Sequence, residues 1–183
     1  LRAFVKSVMT IWAAGNCVGI LLVCIGLAVA PPAPSAVPAP IAPHFTPGEE
    51  IAPLVVAEID AAAESIRLQG YGFTHPAIAA ALIRAHKRGV DVRLVLDRSN
   101  RTASHSQAPR CHRAGVWVRY DASHQIAHNK VIVIDGRTVL TGSFNWTTAA
   151  NDHNAENLVR LRSAEVAAAY LKNWSAHAEH SEP

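Results

Sequence analysis

The segment His128-Asn129-Lys130-Val131-Ile132-Val133-Ile134-Asp135-Gly136-Arg137-Thr138-Val139-Leu140-Thr141-Gly142-Ser143-Phe144-Asn145-Trp146 holds two short apolar runs joined through Asp135-Gly136. Asp-Gly tolerates the left-handed backbone of a tight turn, so the runs at 130–134 and 138–141 read as the strands of a hairpin. Working upstream, 50–64 reads as a helix, with Ile51, Leu54, Val55, Ile59 and Ala62 at helical spacing. Residues 65–73 read as a strand, Ile66 and Leu68 alternating with Arg67 and Gln69. Thr74, His75 and Pro76 open a second helix with Ile78, Leu82 and Ala85 inward, and Gly89 stops it. A strand follows at 90–96, a polar loop with a short helix at 98–115, and a short strand at 116–120. Downstream, 157–162 reads as a strand and 164–176 as a final amphipathic helix. This order predicts an α/β (α+β) fold, a central mixed sheet flanked by helices.

At 183 residues, with 50% hydrophobic and 17% charged, the chain is long enough for one sizeable core, and global disorder is excluded. Cys17 and Cys24 lie in the apolar N-terminal stretch and Cys111 stands alone, so a disulfide scaffold is excluded too. The formal net charge is +3, but residues 84–137 carry 11 Lys and Arg against 4 Asp and Glu. That basic block makes a polyanionic partner reasonable without identifying one.

Arg2 and Lys6 precede an uncharged run, 11–30, close to the ~20 residues that cross a bilayer as a helix. Residues 1–30 are read as a signal peptide or membrane anchor, and both imply export, to the periplasm or to an inner-membrane anchor with the domain outside the cytoplasm. Residues 31–43, with six prolines among small residues, form a Pro/Ala-rich tether, and the globular domain is expected over 44–183.

His128 and Lys130 are two apart at the start of a strand, so their side chains leave one face. Asp135 is at an odd offset from His128 and in the turn, which suits a structural role. Ser143 and Asn145 repeat the two-residue offset after the second strand. An imidazole, an ammonium, a hydroxyl and an amide at the mouth of a sheet fit a phosphoryl oxyanion. Trp146 is expected as a packed wall of that site. The ten histidines are scattered, and none marks a metal site; His124 and His153 read as solvated loop residues.

His-x-Lys-(x)4-Asp followed by Gly-Ser-x-Asn resembles the phospholipase D superfamily. The stretch 45–175 is similar to its small, single-motif bacterial endonucleases, including Tyr71-Gly72-Phe73-Thr74, Lys87-Arg88-Gly89-Val90-Asp91-Val92 and Ala155-Glu156-Asn157. The resemblance implies that His128 is the nucleophile and that Lys130 and Asn145 bind the phosphate, with Ser143 at the same site. It also implies that Glu156 orients the histidine and holds its tautomer.

Phosphohistidine chemistry needs a second, protonated imidazole opposite the first to protonate the leaving oxygen. One chain supplies one such motif. The expectation is therefore a homodimer pairing two copies of His128, with no metal or other cofactor. The expected substrate is nucleic acid, DNA and in second place RNA. The alternative is a phospholipase D acting on membrane phospholipid near its own N-terminal anchor; a binding module with a decayed site is disfavoured by the complete motif.

Overall fold

The computed structural model describes residues 40–183; the N-terminal apolar run and the tether up to residue 39 lie outside the described residues. The strands are β1 (Ile41–Thr46), β2 (Ser65–Gly70), β3 (Asp91–Asp97), β4 (Trp117–Asp121), β5 (Lys130–Ile134), β6 (Thr138–Gly142) and β7 (Glu156–Arg162). The helices are α1 (Ile51–Asp60), α2 (Pro76–Lys87), α3 (Ala108–Arg113), α4 (Thr148–Asp152) and α5 (Ala164–His180). All seven strands form one sheet in the order β1-β7-β6-β5-β2-β3-β4. Strands β2, β3 and β4 are parallel, and the other pairs are antiparallel. The mixed sheet flanked by helices is the expected fold class. Among the described residues no helix is long and apolar enough to cross a membrane.

The β5–β6 hairpin forms where its turn residues place it, with Asp135 at φ 50° and Gly136 at φ 61°. Strand β5 is buried on both faces, which is why 131–134 reads as an unbroken apolar run after Lys130. Ile132, Ile134, Leu140 and Leu158 join the core under α1 and α2, with Ile51, Val55, Ile59, Ile78 and Leu82. Val131, Val133 and Val139 face the other way, against Ala167, Val166, Tyr170 and Leu171 of α5. Full burial of each such side chain stabilises by about 1.5–3 kcal/mol.

Helix starts follow local chemistry. The His75 ring accepts the Ala77 N–H at 3.3 Å, with Pro76 next to it in the first turn. Ser163 Oγ accepts the Val166 N–H at 3.3 Å and opens α5.

Several boundaries differ from the sequence reading. Strand β1 takes in Ile41, Ala42 and Pro43 of the expected tether. Proline is tolerated there because, among the described residues, β1 is an edge strand paired with β7 alone. Strand β2 stops at Gly70 because Trp146 packs there; a Cβ on Gly70 would come within 2.9 Å of the indole. Helix α5 runs past 176 to His180, its end secured by Ser181 Oγ donating to the His177 carbonyl at 2.6 Å. Helix α1 ends at Asp60 and does not run to 64, and both β1 and the short α4 are elements the sequence reading lacks.

One edge of the sheet collects the functional segments. Gly70 pairs with both Lys130 and Leu96, and Leu96 pairs with Tyr120, so β2, β3 and β4 end where β5 begins. Val131 pairs with Thr141 and Gly142 with Leu158, so β6 ends and β7 begins at the same edge. Carboxyl ends of parallel strands next to a change of direction are where sheets of this kind build sites.

Candidate active site

Lys130 is buried, with 7% of its surface exposed. Its ammonium donates to the His128 carbonyl at 2.9 Å and lies 5.4 Å from the centroid of the Tyr71 ring. Burial lowers its pKa from the ordinary lysine value, and the Glu156 charge works in the opposite direction. An ammonium taken out of water, with donors left over after a single carbonyl bond, is a built receptor for an anion. The His128 ring is exposed and packs edge-on to Tyr71, with centroids 4.7 Å apart. Among the described residues the His128 imidazole makes no hydrogen bond, so its nitrogens face solvent and any incoming group.

Ser143 and Asn145 follow β6. Asn145 Oδ1 accepts the Gly72 N–H at 3.4 Å, which turns the side-chain N–H₂ away from that contact. Ser143 Oγ donates to Glu156 Oε2 at 2.5 Å and accepts the Asn157 N–H at 3.0 Å. Its only proton is thus committed to Glu156, and its first duty is to position that carboxylate. The Asn154 amide donates to Glu156 Oε1 at 2.8 Å. Glu156 is therefore joined to Ser143 and Asn154 and acts on Lys130 through charge, whereas the resemblance expects it to orient the histidine. Gly142 permits this crowding, since a Cβ there would fall on the Asn157 carbonyl oxygen.

Asp135 lies at the far end of β5 from Lys130. Its carboxylate accepts the N–H groups of Ala63, Glu64 and Ser65 at 3.0, 2.8 and 2.9 Å, tying the hairpin turn to the start of β2. Trp146 is fully buried; its indole N–H donates to the Gln69 carbonyl at 3.0 Å, and its own carbonyl accepts from Thr74 and His75. The indole packs against Gly70 and Phe144.

Three contributors are absent from the sequence reading of the site. Tyr71 touches both His128 and Lys130. Asp97, buried at the end of β3, accepts the Ala127 N–H at 2.8 Å and so anchors the residue before His128. Burial pushes the Asp97 carboxyl up, but hydrogen bonds from Ser99 and Ala127 and the charge of Arg98 hold it below its ordinary value. Asn100 donates to the Tyr71 carbonyl at 2.7 Å and the Asp97 carbonyl at 3.1 Å. Asp97 ends β3 and Asn100 follows it, while Tyr71, read from the sequence as part of a strand, lies just past the end of β2; only the pairing of distant strands makes them neighbours.

A cavity of about 620 Å³ opens beside the site, lined by residues including Tyr71, Arg98, Arg101, Gln125 and Ile126. Much of the basic block is engaged elsewhere. Arg84 pairs with Asp60, Arg88 takes three carbonyls at the end of α1, and Arg93 pairs with Asp91. Arg98 and Arg101 are the members that reach the cavity, and Arg101 is also paired with Glu182 at 3.0 Å.

Residues 55–177 match the family described as "Cardiolipin synthase, PLD-like domain". The chain is 46% identical over 130 residues to a "Phospholipase D" of Rickettsia bellii, covering 71% of this chain and 65% of that protein. It is 36% identical over 129 residues to a "Mitochondrial cardiolipin hydrolase" of Xenopus laevis, covering 70% of this chain and 61% of that protein. The matched part thus spans just under two thirds of these relatives. Among solved structures it is similar to a phospholipase D family member, Nuc from Salmonella typhimurium, at 37% identity and a TM-score of 0.74, covering 78% of this chain and 95% of that one.

Proposed function

We propose that this chain, which belongs to the phospholipase D-like family, hydrolyses phosphodiester bonds in nucleic acid through a phosphohistidine intermediate. The observation that carries the reading is the buried Lys130 ammonium beside the exposed His128 ring, with the Asn145 amide at the same sheet edge. A phosphodiester brings an anionic phosphorus centre and a poor leaving group, so the site must neutralise oxygen charge, supply a nucleophile and deliver a proton.

Lys130 and Asn145 hold the non-bridging oxygens. A neutral His128 nitrogen attacks phosphorus; the new N–P bond forms as the P–O bond to the leaving group breaks. The leaving oxygen takes its proton from a second imidazole on the opposite side. That imidazole, now neutral, removes a proton from water, whose oxygen displaces His128 from phosphorus. The second imidazole is His128 of another copy of the chain, so the active unit is a homodimer about a two-fold axis. The charge at phosphorus is balanced by two lysines, and the reaction needs no metal. The apolar run 11–30 exports the domain or anchors it outside the cytoplasm.

Nucleic acid is favoured by Arg98 and Arg101 on the cavity beside His128. A second reading, hydrolysis of membrane phospholipid, is supported by the names of the Rickettsia and Xenopus relatives and by Ile126, 53% exposed on the same cavity. The test is turnover of plasmid DNA, RNA and phosphatidylcholine vesicles side by side by the whole chain. Cleavage of DNA with a rate that falls steeply with salt is expected. Turnover of vesicles with DNA untouched replaces the nucleic-acid reading by the lipid one, and turnover of none refutes both.

A further inference from the structure

Away from the His128–Lys130 pair, four side chains converge that the reaction does not use. Asp121, the last residue of β4, is fully buried. His124 lies in the loop that follows, and His177 and His180 sit one turn apart on α5. Asp121 Oδ2 is approached by His177 Nδ1 at 2.7 Å, His124 Nδ1 at 2.9 Å and His180 Nε2 at 3.2 Å. One donor atom from each of the four residues lies within 4.8 Å of all the others. The imidazole rings pack around the carboxylate with centroids 5.0 to 5.4 Å apart.

The other oxygen, Oδ1, accepts the Ser123 N–H at 3.1 Å and shares His124 Nδ1, also at 3.1 Å. Three imidazoles and one backbone N–H fill the roughly four acceptor sites of this carboxylate, and three imidazoles gathered on one buried carboxylate are also the donor set a metal ion takes. A cation at the centre uses the same convergence: each imidazole presents a lone pair instead of a proton, and the carboxylate supplies the fourth ligand. We propose that Asp121, His124, His177 and His180 form a binding site for a divalent transition metal of the zinc class.

The donor set decides the class. Three imidazole nitrogens and one carboxylate oxygen suit Zn²⁺ and its spectroscopic substitute Co²⁺, whereas Mg²⁺ and Ca²⁺ take oxygen ligands. Metal–ligand bonds of about 2.0–2.1 Å at tetrahedral angles put donor atoms about 3.3 Å apart, so the widest pairs must close by about 1–1.5 Å. Rotation of partly exposed His124 and His180 supplies that movement; their side chains are 48% and 36% exposed. Four protein ligands leave no open position, so the ion is structural.

Its place in the fold gives it a purpose. Residues 122–129 run from Asp121 directly to Lys130 and carry His128. Asp97 holds that loop near its far end through Ala127, and the metal clamps its near end to α5. The C-terminal helix and the catalytic loop are thereby fastened to each other beside the cavity lined by Ala122, Gln125 and Glu182. The inference does not depend on which phosphodiester is cleaved.

The experiment is zinc binding by the untagged full chain, stripped by chelator and dialysed, with metal content measured by mass spectrometry and Tm by circular dichroism. One Zn²⁺ per chain is expected, with Tm raised by about 5–10 °C at saturating zinc. Cobalt should give the intense visible bands of a tetrahedral site. His180→Gln, at the more exposed ligand, should fold and bind zinc about 100-fold more weakly or worse. Should His177→Ala fail to fold, His180→Gln and the cobalt spectrum of the unaltered chain still decide. A chain that retains no zinc and shows no shift in Tm overturns the proposal, as does full binding by His180→Gln together with an octahedral cobalt spectrum.

Discussion

Replacing Asp135 with alanine removes three hydrogen bonds at once, from Ala63, Glu64 and Ser65, while leaving the site edge of β5 untouched. A hydrogen bond to a charged acceptor contributes about 1.5–3 kcal/mol when shielded, and less where water competes. Two of these three are exposed, so the total is about 2–3 kcal/mol. Asp135 also sits at φ 50°, a conformation that costs alanine more than aspartate or asparagine. For a chain of this size the loss lowers Tm by about 5–10 °C. Asp135→Asn keeps the backbone conformation and one acceptor oxygen, and should lose roughly half as much.

The same carboxylate has a pH signature. Burial pushes it up, but the three N–H donors and Arg137 outweigh burial and hold its pKa below the ordinary value. Its contribution is therefore complete above the unfolded value of about 3.9 and disappears as pH falls through the lower folded value. The difference in stability between the native chain and Asp135→Asn should shrink across that acidic window. Circular dichroism melts from pH 3 to 7 measure it, alongside kcat at a temperature where both proteins are folded. Unchanged kcat with lowered Tm is expected; a collapse of kcat in the folded variant, or a stability difference constant with pH, refutes a purely structural Asp135.

His128→Ala should lose at least ~10³-fold in kcat with little change in Tm, because the ring is exposed and removes few packing contacts; near-native turnover by the folded variant would contradict its role as nucleophile. Gly142→Ala drives a methyl into the Asn157 carbonyl and should lower Tm by several degrees, as overpacking costs about 1–3 kcal/mol, while also reducing kcat through Ser143 and Glu156; a stable, fully active variant would show that this backbone approach is unimportant. Asp97→Asn should lower kcat more than it raises KM, since it loosens Ala127 and the approach to His128 without touching the phosphate ligands; an effect confined to KM would place Asp97 in substrate binding instead.

The hairpin and the two parallel-strand units were readable because their signals are local. Asp135-Gly136 can serve few purposes other than a turn, and Val92, Leu94 and Leu96 alternate over a single strand. His128, Lys130, Ser143 and Asn145 stand out in the sequence through their two-residue offsets and Glu156 through the resemblance, and the structure sets Lys130, Ser143 and Glu156 near one another. Strand β1 was hidden by Pro43, which argues for a tether unless the chain is known to lie at a sheet edge. Asp97, Asn100 and Tyr71 acquire meaning only when β3 lies beside β2 and β2 beside β5. The Asp121–histidine cluster spans β4 and α5, more than fifty positions apart. Its trace in the sequence is two pairs at three-residue spacing, Asp121 with His124 and His177 with His180, which no local rule connects.

The pairing of two His128 rings about one phosphorus is tested most directly by subunit mixing. Native chain and His128→Ala are unfolded, combined in varying ratio and refolded together, and phosphodiesterase activity is measured against the native fraction. If each active unit needs both rings, activity falls as the square of that fraction, and an equal mixture retains about a quarter of the native rate. A linear fall, with about half the rate at equal mixture, would mean that each chain works alone and would contradict the shared site.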